Sequence, residues 1–193
     1  MDKGLTVQES IRSFIAFDID NETVLKKIMD IQAIIAKAGA DVKFVEPKNI
    51  HVTVRFLGDI NASVVEKIYE EMRKIKFTPF DIKICGAGAF PNLRYPRVLW
   101  AGITEGANQL QSISNQLEPL LRSLGFRPDP KGFSPHLTIA RVKSGRNKAE
   151  LAKTVGENVN YEFGIVKAGC LRLKRSDLTP KGPIYSTLKE YCP

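Results

Sequence analysis

Two seven-residue stretches of the chain alternate polar and apolar residues with a period of two: HVTVRFL at residues 51–57 and HLTIARV at residues 136–142. Successive side chains leave a strand on opposite sides, so this alternation predicts two β-strands, each with one face in a core. On strict alternation His51, Thr53 and Arg55 share one face of the first strand, and Val52, Val54 and Phe56 the other. In the second strand His136, Thr138 and Ala140 oppose Leu137 and Ile139. The chain has only two histidines, and each is followed at the second position by threonine. Threonine fills nine of the 193 positions, so composition alone does not produce the repeat.

The remaining sequence arranges strands and helices around these two. RSFIAFDI (12–19) reads as a strand rich in Phe and Ile. Val24, Ile28, Ile31, Ile35 and Ala38 recur at helical spacing and stop at Gly39. VKFVEP is strand-like and is punctuated by Pro47. Val65, Ile68, Met72 and Ile75 mark a second helix, with Asn61 or Ser63 as its cap. Strands at 80–90 and 97–103 flank the turn PNLRYP. Leu110, Ile113, Leu117, Leu120 and Leu124 form a third helical stripe ended by Gly125, and Pro119 predicts a kink or a fresh start within it. A short helix over 146–158 and strand-like stretches at 161–175 and 184–191 close the chain. The order of elements gives an α+β fold, read as one domain over 1–193. Strand–helix–strand–helix units occur in each half with one His-x-Thr apiece, which suggests an internal duplication.

Composition bounds the partners and the compartment. The net charge of +8 suits a polyanion. The basic runs NLRYPR (92–97), RVKSGRNK (141–148) and LRLKRSDLTPKG (171–182) are candidate tracks for an RNA backbone, with Tyr95 placed to stack on a base. No apolar run is long enough to span a bilayer and no signal peptide opens the chain, so a cytoplasmic protein without membrane contact is expected, with a polar, loose N-terminus. Cys85, Cys170 and Cys192 are odd in number and widely spaced, which reads as reduced thiols rather than a disulfide frame. The same scatter offers no metal-ligand spacing, so neither metal nor cofactor is expected. A monomer is the default.

Two imidazoles and two hydroxyls point to a specific chemistry. Histidine titrates near neutral pH, so one neutral ring can take a proton while a second, protonated ring gives one. Paired groups of this kind typically contribute ~10²–10⁴-fold each. Hydroxyls hold the oxygens of an anionic centre. Together they suit in-line attack at a phosphodiester, with one histidine activating water, the other protonating the leaving oxygen, and the threonines on the non-bridging oxygens. His136 is given the role of base and His51 that of acid, although the sequence does not separate the two.

HVTVRFLG and PHLTIARV resemble the paired motifs of the 2H phosphoesterase superfamily, and most closely its LigT/ThpR branch, the RNA 2′,3′-cyclic phosphodiesterases also called 2′-5′ RNA ligases. The likeness runs from RSFIAFDI to GPIYSTL. It implies a bilobal α+β fold of two pseudo-symmetric lobes, with two antiparallel sheets flanked by helices around a central cleft and one motif on each. It implies hydrolysis of a terminal 2′,3′-cyclic phosphate on RNA to a 2′-phosphate, and a weak, reversible 2′-5′ joining of RNA ends. Carried over by position, His51 and His136 are catalytic, Thr53, Thr138 and Arg141 bind phosphate, and Phe56 stacks on the terminal base. Phe56 and Arg141 each lie five residues after their histidine, so strict alternation turns them away from it; they reach the cleft only if the strand bulges, twists or ends first. Arg55 is the better-placed residue on parity alone. Two other readings share these features: an RNA-binding module without catalysis, and a phosphodiesterase acting on 2′-5′ oligonucleotides.

Overall fold

The structure, a computed structural model, describes residues 10–193 except Lys131 and Lys181. Residues 1–9, most of the polar N-terminal stretch, lie outside the described residues. The element order is β1 (Ser10–Asp18), α1 (Glu22–Ala36), β2 (Val42–Phe44), β3 (His51–Asn61), α2 (Val65–Met72), β4 (Phe80–Phe90), β5 (Val98–Glu105), α3 (Ala107–Ser123), β6 (His136–Val142), α4 (Lys148–Glu157), β7 (Glu162–Ala168), β8 (Leu171–Thr179) and β9 (Gly182–Tyr191). This is the α+β class read from periodicity.

Local chemistry explains most boundaries. The Asn21 side chain accepts from the Val24 N–H at 3.1 Å and starts α1. Val24, Ile28, Ile31 and Ile35 bury its apolar stripe, and Gly39 takes φ +63° just beyond its end. Asn61 caps a short 3₁₀ turn that leads into α2. Pro119 starts no new helix: α3 runs unbroken through it. The proline lies on the exposed side, so the buried stripe of Leu110, Ile113, Leu117 and Leu121 passes it undisturbed.

The strands form one antiparallel sheet in the order β7-β4-β5-β6-β3-β1-β8-β9, with β2 added beside β6. The two expected sheets are thus continuous. Only one registered pair, Val52 with Leu137, joins β3 to β6 at the centre. Helices α1 and α3 pack behind β6 and β3, on the face where Val52 and Leu137 are wholly buried. The stretch 161–175 is not a single strand. It breaks at Gly169 and Cys170, which link β7 at one extreme of the strand order to β8 near the other. Two residues cannot cross six ladder spacings of about 4.8 Å, so the sheet must curl.

One expectation about cysteine is overturned. Cys170 and Cys192 form a disulfide, with Cα atoms 4.3 Å apart. Leu171 pairs with Tyr191 at the end of the β8–β9 ladder, so one further step places Cys170 opposite Cys192. The wide spacing in sequence is the length of a long hairpin. Cys85 remains a free thiol.

Candidate active site

The Val52–Leu137 pair sets the site. Continuing the antiparallel register by one residue each way puts His51 opposite Thr138 and Thr53 opposite His136. The two motifs therefore cross, and each histidine faces the other strand's hydroxyl. Directly opposite Cβ atoms stand about 5 Å apart and diagonal neighbours about 7–8 Å. The two rings, diagonal to each other, leave room for one tetrahedral centre between them. The rows extend outward: Asp18 pairs with His51 and Trp100 with Thr138, while Ala16 pairs with Thr53 and Gly102 with His136.

Both strands then bulge at the same place. On β1, Ile15 pairs with Arg55 and Ala16 with Thr53, so Val54 has no partner there. On β5, Leu99 pairs with Ala140 and Trp100 with Thr138, which leaves out Ile139. An extra residue reverses the parity beyond it. The seven residues from each histidine show the same burial sequence: half-buried, buried, half-buried, buried, buried, exposed, half-buried. Phe56 and Arg141 are the exposed residues in that sequence, returned to the histidine face. Phe56 is 56% exposed and its ring lies 6.2 Å from Phe14, which is itself 4.8 Å from the His51 ring.

The same bulge corrects the placement of Arg55. It does not share a face with His51 and Thr53 but turns to the helix side. There its Nε donates to Glu118 Oε1 at 2.5 Å and its Nη1 to Phe56 O at 2.6 Å, with a further bond to Arg127 O. The bulge on β6 is held from behind by a different group. Gln32 of α1 donates from Nε2 to Ile139 O at 2.9 Å and to Val45 O at 2.8 Å.

Each histidine ring is anchored alike. Nδ1 of His51 lies 2.8 Å from Asn49 O, and Nδ1 of His136 lies 2.7 Å from Ser134 O. A carbonyl only accepts, so Nδ1 carries the hydrogen and Nε2 is left to exchange protons. Burial lowers the pKa of His51 to about 4; the Asn49 carbonyl and the Asp18 carboxylate oppose this, and Lys174 and His136 add to it. Burial also lowers His136, against the pull of the Ser134 carbonyl and with help from Arg141. Both shifts favour the neutral imidazole.

Comparisons with known proteins place the chain in a family. The family model described as LigT like Phosphoesterase matches residues 19–100 and 102–185. The chain belongs to the LigT-like phosphoesterase family. An RNA 2′,3′-cyclic phosphodiesterase of Methanothermobacter thermautotrophicus is 40% identical over 183 residues, covering 94% of this chain and 98% of the relative. One of Aeropyrum pernix is 43% identical over 156 residues, covering 81% and 89%. Among solved structures, TT0787 of Thermus thermophilus superposes with a TM-score of 0.74 at 26% identity, covering 94% of this chain and 97% of that one. E. coli LigT complexed with NADP+ shares the fold, with a TM-score of 0.74 at 23% identity over 95% and 98%.

As a LigT-like phosphoesterase, the chain also places residues at the site that its motifs do not announce. Tyr185 of β9 sets its ring 5.3 Å from His51 and 5.0 Å from Phe14, edge-on to both. Phe90 stands edge-on to His136 at 4.9 Å. Lys174, buried, holds both oxygens of Asp18 at 2.6 Å, beside His51. Trp100 lies next to Thr138, with its indole over Gly88, where any Cβ would collide with the ring. These residues arrive from strands far away in sequence, and the motif reading singled out none of them; Tyr185 lies in GPIYSTL, where the family likeness ends.

Some predicted contacts of this LigT-like phosphoesterase lie elsewhere. Tyr95, 65% exposed, is outside the ring cluster around the histidines, and Lys148 Nζ sits 3.9 Å over its face. The basic run 171–182 is largely occupied by ion pairs: Arg172 with Glu190 and Asp18, Lys174 with Asp18, Arg175 with Asp177. Among the described residues one cluster brings three metal-type donors together, Cys170, Glu190 and Cys192. Two of those donors are joined in the disulfide, so the cluster does not offer a thiolate pair.

Proposed function

We propose that this protein hydrolyses the 2′,3′-cyclic phosphate at RNA ends to a 2′-phosphate by histidine general acid–base catalysis. The crossing of two His-x-Thr motifs through one registered pair carries the reading. Relatives named RNA 2′,3′-cyclic phosphodiesterase, at up to 43% identity over most of the chain, support the substrate.

The cyclic phosphate lies between the two Nε2 atoms, its non-bridging oxygens held by Thr53, Thr138 and Arg141. One ring removes a proton from water, the water oxygen bonds to phosphorus, the bond to O3′ breaks, and the second ring protonates O3′. His51 is enclosed between Phe14 and Tyr185, and burial holds its pKa down at about 4, so it resists protonation, and we assign it as base and His136 as acid. This reverses the assignment made from sequence. With a 5′-hydroxyl in place of water, the same path joins two ends through a reversible 2′-5′ linkage. Phe56 takes the terminal base, and Tyr95 with the loops at 92–97 and 141–148 meets RNA further along.

We read the chain as two pseudo-symmetric lobes, β7-β4-β5-β6 and β3-β1-β8-β9, a division supported by the matching burial and bulge of the two motif strands. The proposed chemistry uses the two imidazoles as proton carriers, each with Nδ1 held by a backbone carbonyl and Nε2 turned to the substrate, and calls on no metal. A monomer acting in the cytoplasm, where RNA fragments are met, completes the proposal.

The test is incubation of an oligonucleotide ending in a 2′,3′-cyclic phosphate, with and without EDTA, followed by identification of the product isomer. A 2′-phosphate formed equally in both is expected. Recovery of a 3′-phosphate, or of intact substrate bound without turnover, overturns the reading. Because both histidines are lowered below the ordinary value of 6.5, kcat/KM should peak on the acid side of 6.5 and fall as pH rises through the pKa of the acid.

A further inference from the structure

We propose that Arg12 and Tyr185 form a second phosphate subsite, which takes the phosphate on the 5′ side of the terminal nucleotide. The inference rests on the phosphodiester reading of the cleft and adds a direction for the RNA chain leaving it.

Register places the pair. Ser13 pairs with Arg175 and Tyr185 with Ser176, so one step beyond Ser13 brings Arg12, Ser176 and Tyr185 into a single row across β1, β8 and β9. Ser176 is small and buried, which lets the Tyr185 ring lean over it toward Phe14 and His51. The ring is fixed there from below. The Asn49 side chain donates to Pro183 O at 3.1 Å, tying the start of β9 to the turn whose carbonyl anchors His51.

The chemistry of the pair calls for an anion. The Arg12 side chain is exposed, and its guanidinium makes no hydrogen bond or ion pair among the described residues. The Tyr185 hydroxyl likewise has no hydrogen-bond partner among them. Burial raises the pKa of Tyr185 despite the nearby charges of Arg141 and Arg12, so the phenol keeps its proton and donates. A free guanidinium beside a free phenolic donor suits phosphate oxygens.

The order along β1 and β3 identifies which phosphate. The reacting phosphate belongs to the rows of His51 and Thr53. Next along the same face come Phe14, buried, and against it the exposed Phe56, which would meet the terminal nucleoside. Arg12 follows, paired with Asp59. It stands four residues along β1 from Ala16, the partner of Thr53, a distance of about 13 Å that the reach of an arginine shortens to the span of one nucleoside. Reacting phosphate, nucleoside, next phosphate is the sequence of groups at the end of an RNA chain.

The experiment compares binding of adenosine 2′-monophosphate with adenosine 2′,5′-bisphosphate by calorimetry in the full chain, for wild type, Arg12→Gln and Tyr185→Phe. The wild type should prefer the bisphosphate, and each variant should shrink that preference by about tenfold, the loss of one charge-assisted contact. Arg12 is exposed and Tyr185→Phe keeps the packed ring, so both variants retain the fold. An absent preference in the wild type, or one that survives in both variants, overturns the subsite. Hydrolysis of adenosine 2′,3′-cyclic monophosphate, which has no 5′-phosphate, reports separately on the phosphodiester reading: its absence would sink that reading while a preference for the bisphosphate would still support the subsite.

Discussion

The strand that carries His51 and the strand that carries His136 share a backbone and differ in what they do with it. Both place histidine and threonine two apart, anchor Nδ1 on the carbonyl two residues earlier, and bulge after threonine. The frame is the same through the fifth position after histidine; only then does β3 depart, with Leu57 left out between Phe56 and Gly58. The contents diverge at the fifth position after histidine, where β3 presents Phe56 and β6 presents Arg141. They diverge again behind the sheet, where a charged pair, Arg55 with Glu118, backs one bulge and an amide, Gln32, backs the other. They diverge around the rings too: His51 packs between Phe14 and Tyr185, whereas His136 has Phe90 and the charge of Arg141. On the proposed function, the repeated backbone sets where the reacting groups stand, and the unrepeated side chains would divide the substrate into a base to be stacked and an anion to be neutralised.

The sharpest way to break the shared half of that comparison is to remove each ring. If the two histidines are base and acid of one step, His51→Ala and His136→Ala should each lower kcat by roughly 10²–10⁴-fold and leave RNA affinity nearly unchanged. Turnover on a cyclic-phosphate oligonucleotide and anisotropy of labelled RNA read the two quantities. Should one variant keep wild-type turnover, the motifs would be alike in shape only.

How far the sequence revealed this frame depended on which physical rule each part obeys. Periodicity located the strands and helices because burial of one face leaves a direct trace along the chain. The motif strands were legible up to threonine, where alternation holds. Beyond it, alternation misassigned Arg55, Phe56 and Arg141, because a bulge adds one residue without changing residue type. A trace existed in Ile139-Ala140, two consecutive small-to-medium apolar residues that are both buried; in β3 the second of the two is Arg55, whose charge hid it. Tyr185, Phe14 and the Asp18–Lys174 pair are joined to the site by tertiary pairing alone, so no local pattern names them. The disulfide belongs to the same class, since only the register of β8 with β9 brings its two cysteines together.

The two bulge supports differ in how strongly their loss should be felt. Glu118→Ala takes the nearer of two carboxylates from a buried guanidinium, at a cost of about 3 kcal/mol, the low end for a broken buried pair because Asp129 remains 4.0 Å away and Glu118 is 26% exposed. Gln32→Leu removes one of two donors to Ile139 O, which keeps the Val45 N–H at 2.9 Å, so about 1–2 kcal/mol is expected. Urea midpoints measure both. Equal costs would mean that the charged support and the neutral one are equivalent, against the ordering argued from desolvation.

The smallest effects fall on the residues that most distinguish the two strands, and they differ in kind rather than in size. If Arg141 meets phosphate as a charge, as proposed, Arg141→Ala should weaken RNA binding and flatten its dependence on salt, lowering the slope of log affinity against log salt by about one. If Phe56 meets a base as a surface, as proposed, Phe56→Ala should raise KM by about tenfold, the lower part of the stacking range, and leave the salt slope as it was. Measuring affinity at several salt concentrations for both variants separates the two. If Phe56→Ala altered the slope and Arg141→Ala did not, the division of labour between the strands would be the reverse of the one their side chains imply. If neither altered binding, the fifth position would be a surface site on both strands, and the bulges would serve packing alone. The expected asymmetry follows from one geometric fact: identical bulges return two chemically different side chains to the same face of the sheet.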